Sequence, residues 1–194
     1  MIKKVLAILA IIPLSVNAMV QVNPEIEAAN FLAEKGIIKD NSANPEKYNL
    51  DMDIRRGEMM KITINLTGVE PDSTCAGKFS DISKDDWICK YAETGLKLGI
   101  VAKNDKFRPL DNLTKTEAVK MVFKGLGIEK TFNTGNWQQD YMETAYQKGY
   151  ILEKYIDYNA NANRGFVFLI AKKALAKEGQ KPVDFFKPIS DEAE

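Results

Sequence analysis

Three basic residues stand at matching places along the chain. Arg56, Lys115 and Arg164 each open a segment whose apolar spacing predicts a helix. A cation there is badly placed for the helix itself, because the dipole at a helix N-terminus favours negative charge. One such residue would be noise. Three in corresponding places point to sites for an anion, held by the side chain and by the free backbone N–H groups of the first turn. Arginine can grip a carboxylate with two parallel bonds, whereas Lys115 offers a point charge, so the middle site is expected to be the weaker. The competing reading pairs each cation with a nearby acid or leaves it in solvent.

Other chemistry is thinly represented. The chain has no histidine, which removes the commonest general base and the commonest metal ligand. Carboxylates could still act in pairs, but here they are scattered and no pair recurs as a set, so no catalytic residue is assigned. Two stretches begin like calcium loops. Asp157-Tyr158-Asn159-Ala160-Asn161 has Ala162 where the glycine is required and Phe168 where the glutamate is required. Asp40 to Asp51 has Pro45 in the glycine's place. No metal site or cofactor is therefore expected. Cys75 and Cys89 are 14 residues apart. In an exported chain they are expected to form a disulfide, the alternative being two buried thiols.

The elements that must position these residues repeat. Phe79 to Gly127 is the clearest unit. Ser83, Asp85 and Asp86 predict a helix start, and Trp87, Tyr91, Leu96 and Leu98 follow at helical spacing up to Gly99. After Ile100-Val101 and an extended stretch through Phe107 and Pro109, Thr114 and Glu117 have capping-box spacing for a second helix, which Gly125 and Gly127 are expected to stop. At an offset of 50, Trp87 meets Trp137, Tyr91 meets Tyr141 and Gly99 meets Gly149. Asn163 caps the following helix with Phe166 in place of the glutamate. Upstream, at an offset of 63, Gly36-Ile37-Ile38 matches Gly99-Ile100-Val101. Asn23-Pro24 starts the first helix, and Ile54 through Glu58 matches Leu113 through Glu117, with Arg55 in place of the capping threonine. The units cover 23–68, 79–127 and 132–178, with Glu70 to Lys78 as a linker.

Charge is balanced at 27 basic and 27 acidic residues. Met1-Ile2-Lys3-Lys4, the apolar run Val5–Leu14 and Val16-Asn17-Ala18 resemble a signal peptide cleaved after Ala18. Loss of Lys3 and Lys4 leaves 25 basic against 27 acidic residues, so nucleic acid is not an expected partner. No later segment is apolar enough to span a membrane. The chain is expected to be exported to the cell surface or envelope. Residues 179–194 form an acidic tail in which Val183, Phe185 and Phe186 are expected to dock back onto the domain.

These residues resemble the S-layer homology repeats, whose unit runs Phe-x-Asp-Val, tryptophan, Gly-Ile-Val, Phe-x-Pro and Ile-Thr-Arg-Ala-Glu. The central unit matches at Phe79, Asp81, Trp87, Gly99-Ile100-Val101, Phe107, Pro109 and Leu113-Thr114-Lys115-Thr116-Glu117, and the outer two match less fully. The resemblance implies a mainly α fold over residues 19–178. Three helix-loop-helix repeats would be arranged with pseudo-threefold symmetry around a central helical core, with grooves between neighbours. It implies a non-catalytic module that attaches non-covalently to an acidic, pyruvylated cell-wall polysaccharide, with Arg56, Lys115 and Arg164 as its principal contacts. Trp87 and Trp137 could stack on sugar rings, although their place in the first turn of an apolar stripe favours core packing. Asp81 could accept a sugar hydroxyl, or cap the start of the unit. The alternative function is a self-assembling structural or adaptor protein of the surface layer, partnered by itself or by other surface-layer proteins. A third is an enzyme acting on wall glycans.

Overall fold

A computed structural model describes residues 23–154 and 157–179. The expected signal peptide, and the tail beyond Gly179, lie outside the described residues. Within them the architecture is mainly helical, with six α-helices: α1 (Pro24–Glu34), α2 (Arg56–Thr67), α3 (Trp87–Lys97), α4 (Lys115–Leu126), α5 (Trp137–Gln147) and α6 (Arg164–Glu178). A short 3-10 turn at Pro45–Tyr48 precedes α2. No strand occurs among the described residues, only isolated bridges.

Most helix limits follow from local chemistry. Asn23 accepts the Glu25 N–H and is followed by Pro24. Thr114 and Glu117 complete a reciprocal capping box, and Asn163 accepts the Phe166 N–H. At α2 only half of such a box exists, since Glu58 accepts the Arg55 N–H but Arg55 returns no side-chain bond. The start of α3 differs from the sequence expectation. Its cap is Asp86, and Ser83 instead closes a turn with its carbonyl accepting the Asp86 N–H. Gly125 does not stop α4 either. It sits buried inside that helix, where an added Cβ would lie 3.1 Å from the Thr63 carbonyl oxygen, so it permits the close crossing of α2 and α4.

The two helices of one repeat do not form the main packing pairs. α3 packs on α2, α5 on α4, and α1 on α6, while α4 also touches α2 and α6. Each lobe is thus built from the second helix of one unit and the first helix of the next, and α1 closes the circuit. The segments just before α2, α4 and α6 meet in a ring of backbone hydrogen bonds. Ile54 N–H donates to the Ala162 carbonyl (2.9 Å), Ala162 to Leu113 (2.8 Å), and Leu113 to Ile54 (3.2 Å). All three residues are fully buried, so the ring satisfies peptide groups that water cannot reach.

The linkers between units are pinned by polar side chains. Glu93, buried on α3, accepts the N–H groups of Ala76 (2.9 Å), Gly77 (2.7 Å) and Lys78 (2.8 Å). Burial alone would raise its pKa, but these bonds outweigh it and hold the carboxyl below its usual range. On α5, Asp140 binds the Lys130 ammonium (2.7 Å) and the Thr134 N–H (2.8 Å), which likewise lower its pKa. Cys75 and Cys89 are joined in a disulfide that fastens the first linker to α3.

Candidate functional site

The cations at the starts of α2, α4 and α6 face the next unit around the ring. The Arg56 Nη2 lies 3.0 Å from Glu117 Oε1, and the Arg164 Nη1 lies 3.3 Å from Glu58 Oε1. At the third corresponding position Lys115 meets Phe166 instead, with its Nζ 5.5 Å from the ring centroid. Arginine faces glutamate twice, and lysine faces phenylalanine once. The acids were legible as capping residues, yet their partners, 61 and 106 residues away, were not.

The backbone amides at these helix starts are not free, contrary to the sequence expectation. Arg56 and Gly57 N–H donate to the carbonyls of Asp111 and Pro109, Lys115 and Thr116 to those of Ala160 and Tyr158, and Arg164 and Gly165 to those of Met52 and Leu50. The loops that close the ring have taken these donors. An anion in a groove must therefore rely on side-chain cations.

The groove at Arg56 forms a cleft of about 230 Å³, whose lining includes Arg56, Glu117, Lys106, Arg108, Lys120 and Trp137. Burial would raise the Glu117 pKa, but the Thr114 N–H and the Arg56 guanidinium hold it below the ordinary range, so it faces Arg56 as a carboxylate. Arg108 adopts a left-handed backbone conformation (φ 61°) that a residue with a Cβ seldom takes. Asp81 holds it there by accepting the Phe107 N–H (2.8 Å) and the Arg108 N–H (2.7 Å), bonds that outweigh desolvation and lower its pKa. Asp81 thus fixes the loop on the cleft wall.

Trp137 and Trp87 are not core residues. They are 42% and 53% exposed, whereas Ile88 and Cys89, the next residues after Trp87, are buried. Each indole meets a tyrosine one turn on in an edge-to-face contact: Trp137 with Tyr141 (6.4 Å) and Trp87 with Tyr91 (6.1 Å). Each pair also carries a lysine from the neighbouring helix. The Lys120 Nζ lies 4.7 Å from the Trp137 ring, and the Lys61 Nζ lies 5.8 Å from the Trp87 ring. The sequence reading passed over Lys61 and Lys120. Their signal was available, since both fall five residues after the cation that opens their helix.

Among the described residues, the one cluster of three candidate metal ligands is Cys75, Cys89 and Glu93, whose two sulfurs are spent on the disulfide. The loops resembling calcium sites carry local turns. The Asp157 carboxylate accepts the Asn159 N–H, and the Asp40 carboxylate accepts the Ser42 N–H. No helix among the described residues is long and apolar enough to cross a membrane.

The described residues thus form a ring of helical units with basic and aromatic residues between neighbours. Residues 78–119, within the central unit, match the S-layer homology domain. The chain is also 25% identical over 151 residues, 75% of its length, to the middle cell wall protein of Brevibacillus brevis, of which it spans only 14%. Both findings support a cell-wall-associated module.

Proposed function

We propose that the chain is a non-catalytic cell-envelope module that binds an acidic cell-wall polysaccharide non-covalently through the grooves between its units. The observation that carries this reading is the cleft in which Arg56, Lys106, Arg108 and Lys120 stand beside the exposed Trp137. Cations attract the acid group, and an indole face offers an apolar platform to the sugar ring. Arg164 and Lys115 stand at the corresponding positions of the other two grooves, against Glu58 and Phe166. The domain match at 78–119 and the cell-wall relative support the same assignment. The three units are read as tandem repeats in pseudo-threefold order, a reading supported by the closed ring through Ile54, Leu113 and Ala162. Export to the cell surface belongs to the same proposal.

The test is co-sedimentation of the chain with purified wall polysaccharide, intact and after chemical removal of its acidic groups. Binding to the intact polymer that weakens with salt and is lost from the neutralised one is the expected result. Equal binding to both would refute recognition of the acid. No binding to either would leave self-assembly as the better account.

A further inference from the structure

The three grooves are not equivalent, and their differences separate a binding arginine from a structural one. The Arg164 guanidinium is engaged on several sides. Its Nε donates to the Tyr48 carbonyl (2.8 Å), its Nη1 meets Glu58, and its centre lies 5.3 Å from the Phe168 ring. These contacts lash the start of α6 to the first unit. Arg56 is held differently. Its Nη2 meets Glu117, while its Nε is buried with no hydrogen-bond partner, although its side chain is only 14% exposed. A buried guanidinium donor without an acceptor is an unfavourable arrangement that a second acceptor would relieve. Lys115 rests on Phe166 and has no acid beside it in that pair.

The surroundings differ in the same sense. The left-handed position on the Arg56 cleft wall is Arg108, whereas the left-handed residue in the loop ahead of α2 is Asn49. The Arg56 cleft thus gathers Arg56, Lys106, Arg108 and Lys120, with Glu117 against Arg56 and Asp111 3.7 Å from Arg108.

From this asymmetry we infer that the chain has one working anion site, the Arg56–Lys120–Trp137 cleft, and that Arg164 is a structural tie between the first and third units. The inference rests on the glycan-binding reading and narrows it. The acid group of the sugar becomes the second acceptor for the Arg56 guanidinium, which fork geometry allows to hold Glu117 and the ligand together.

Isothermal calorimetry with size-fractionated fragments of the acidic wall polysaccharide tests this, with thermal melting run on each variant. The unaltered chain is expected to bind at one site. Arg56→Gln should weaken binding at least about tenfold with Tm changed by less than about 3 °C. Arg164→Gln should keep its affinity within about twofold while Tm falls by more than that amount. If Arg164→Gln fails to fold, Arg164→Lys keeps the charge opposite Glu58 and should bind like the unaltered chain. Two equivalent sites, or equal loss of affinity in folded Arg56 and Arg164 variants, would overturn the inference while leaving the glycan reading intact. No binding by the unaltered chain would refute the glycan reading, and this inference with it.

Discussion

Removing the disulfide should cost a definite amount, less than simple addition suggests. Cys75 and Cys89 have Cα atoms 6.0 Å apart and close a span of 14 residues. In the chain-entropy picture such a loop stabilises the fold by about 3 kcal/mol. For a chain of this size each kcal/mol moves Tm by roughly 2–4 °C, so Cys75→Ala/Cys89→Ala should lower it by about 6–12 °C. The linker has a second anchor, however. Glu93 accepts three of its N–H groups, and the Asp72 N–H donates to Thr94 Oγ at 3.2 Å. Glu93→Gln removes the charge from that cage and should cost about 1.5–3 kcal/mol, not three full bonds, because residues 76–78 are exposed and their amides can rehydrate. With both anchors gone the linker can fray and regain chain entropy, and the frayed state sets a ceiling on the loss. The triple variant should therefore lose less than the sum by more than about 0.5 kcal/mol. Melts followed by circular dichroism on the three variants measure all of this. A double-cysteine variant melting within about 2 °C of the unaltered chain, or losses additive within about 0.3 kcal/mol, would refute joint restraint of the linker.

Four further outcomes are expected. Asp81, Glu93, Glu117 and Asp140 all have folded pKa values below their ordinary ones. Their stabilisation is complete above the ordinary carboxylate range and drains as pH falls through the lowered values, so denaturant titrations should show a steep loss below about pH 4 that Glu93→Gln and Asp140→Asn flatten. Glu25 has the opposite sign: burial first, then Asp51, raise its pKa, so Glu25→Gln should leave Tm unchanged or higher at neutral pH, and a fall would refute the reasoning. Trp137→Ala should weaken polysaccharide binding by about 1–3 kcal/mol with little change in Tm, read by calorimetry and melting, because the indole is a surface group. Lys115→Ala should leave the measured affinity unchanged, and a loss matching that of Arg56→Gln would argue for three working grooves.

Local signals in the sequence were legible where the physics is local. Asn23-Pro24, the Thr114–Glu117 box and Asn163 each act within one helical turn, and each is found where the residues indicate. The repeat offsets also carried the order of the six helices. Interactions that cross between units were not legible. Nothing near Arg56 in the chain marks Glu117 as its partner, and nothing near Ile54 marks Ala162. The tryptophans misled because periodicity marks a face without fixing which residues at its edge are covered. Trp87 and Trp137 open their helices, while the buried faces run through Ile88, Cys89 and Ala92 on α3 and through Asp140, Tyr141 and Thr144 on α5. The supposedly free helix amides failed for a related reason. A helix start shows its own unsatisfied donors, but not the carbonyls that a loop about 40 or more residues away in the chain will bring to them.

The groove at Lys115 ties these points together. Phe166 stands where the other two grooves have a glutamate, so an arginine there would lose its anionic partner, while a lysine can rest its ammonium on the ring. The same side of the ring is where α1 closes on α6, and Glu25 reaches over Gly165 in the place where Ile88 covers Gly57. Any Cβ at Gly165 would collide with that carboxylate. Glu25 and nearby Asp51 repel each other enough to help raise the Glu25 pKa, and a third negative group would meet the same repulsion. The corner that joins the first helix to the last thus trades a fork-and-carboxylate pair for a cation on an aromatic ring, and carries the Glu25–Asp51 pair beside Gly165. Closing the ring and binding an anion place opposite charge demands on one position. On the proposed reading the two tasks are divided, with closure at α1 and α6 and recognition at the cleft beside Arg56.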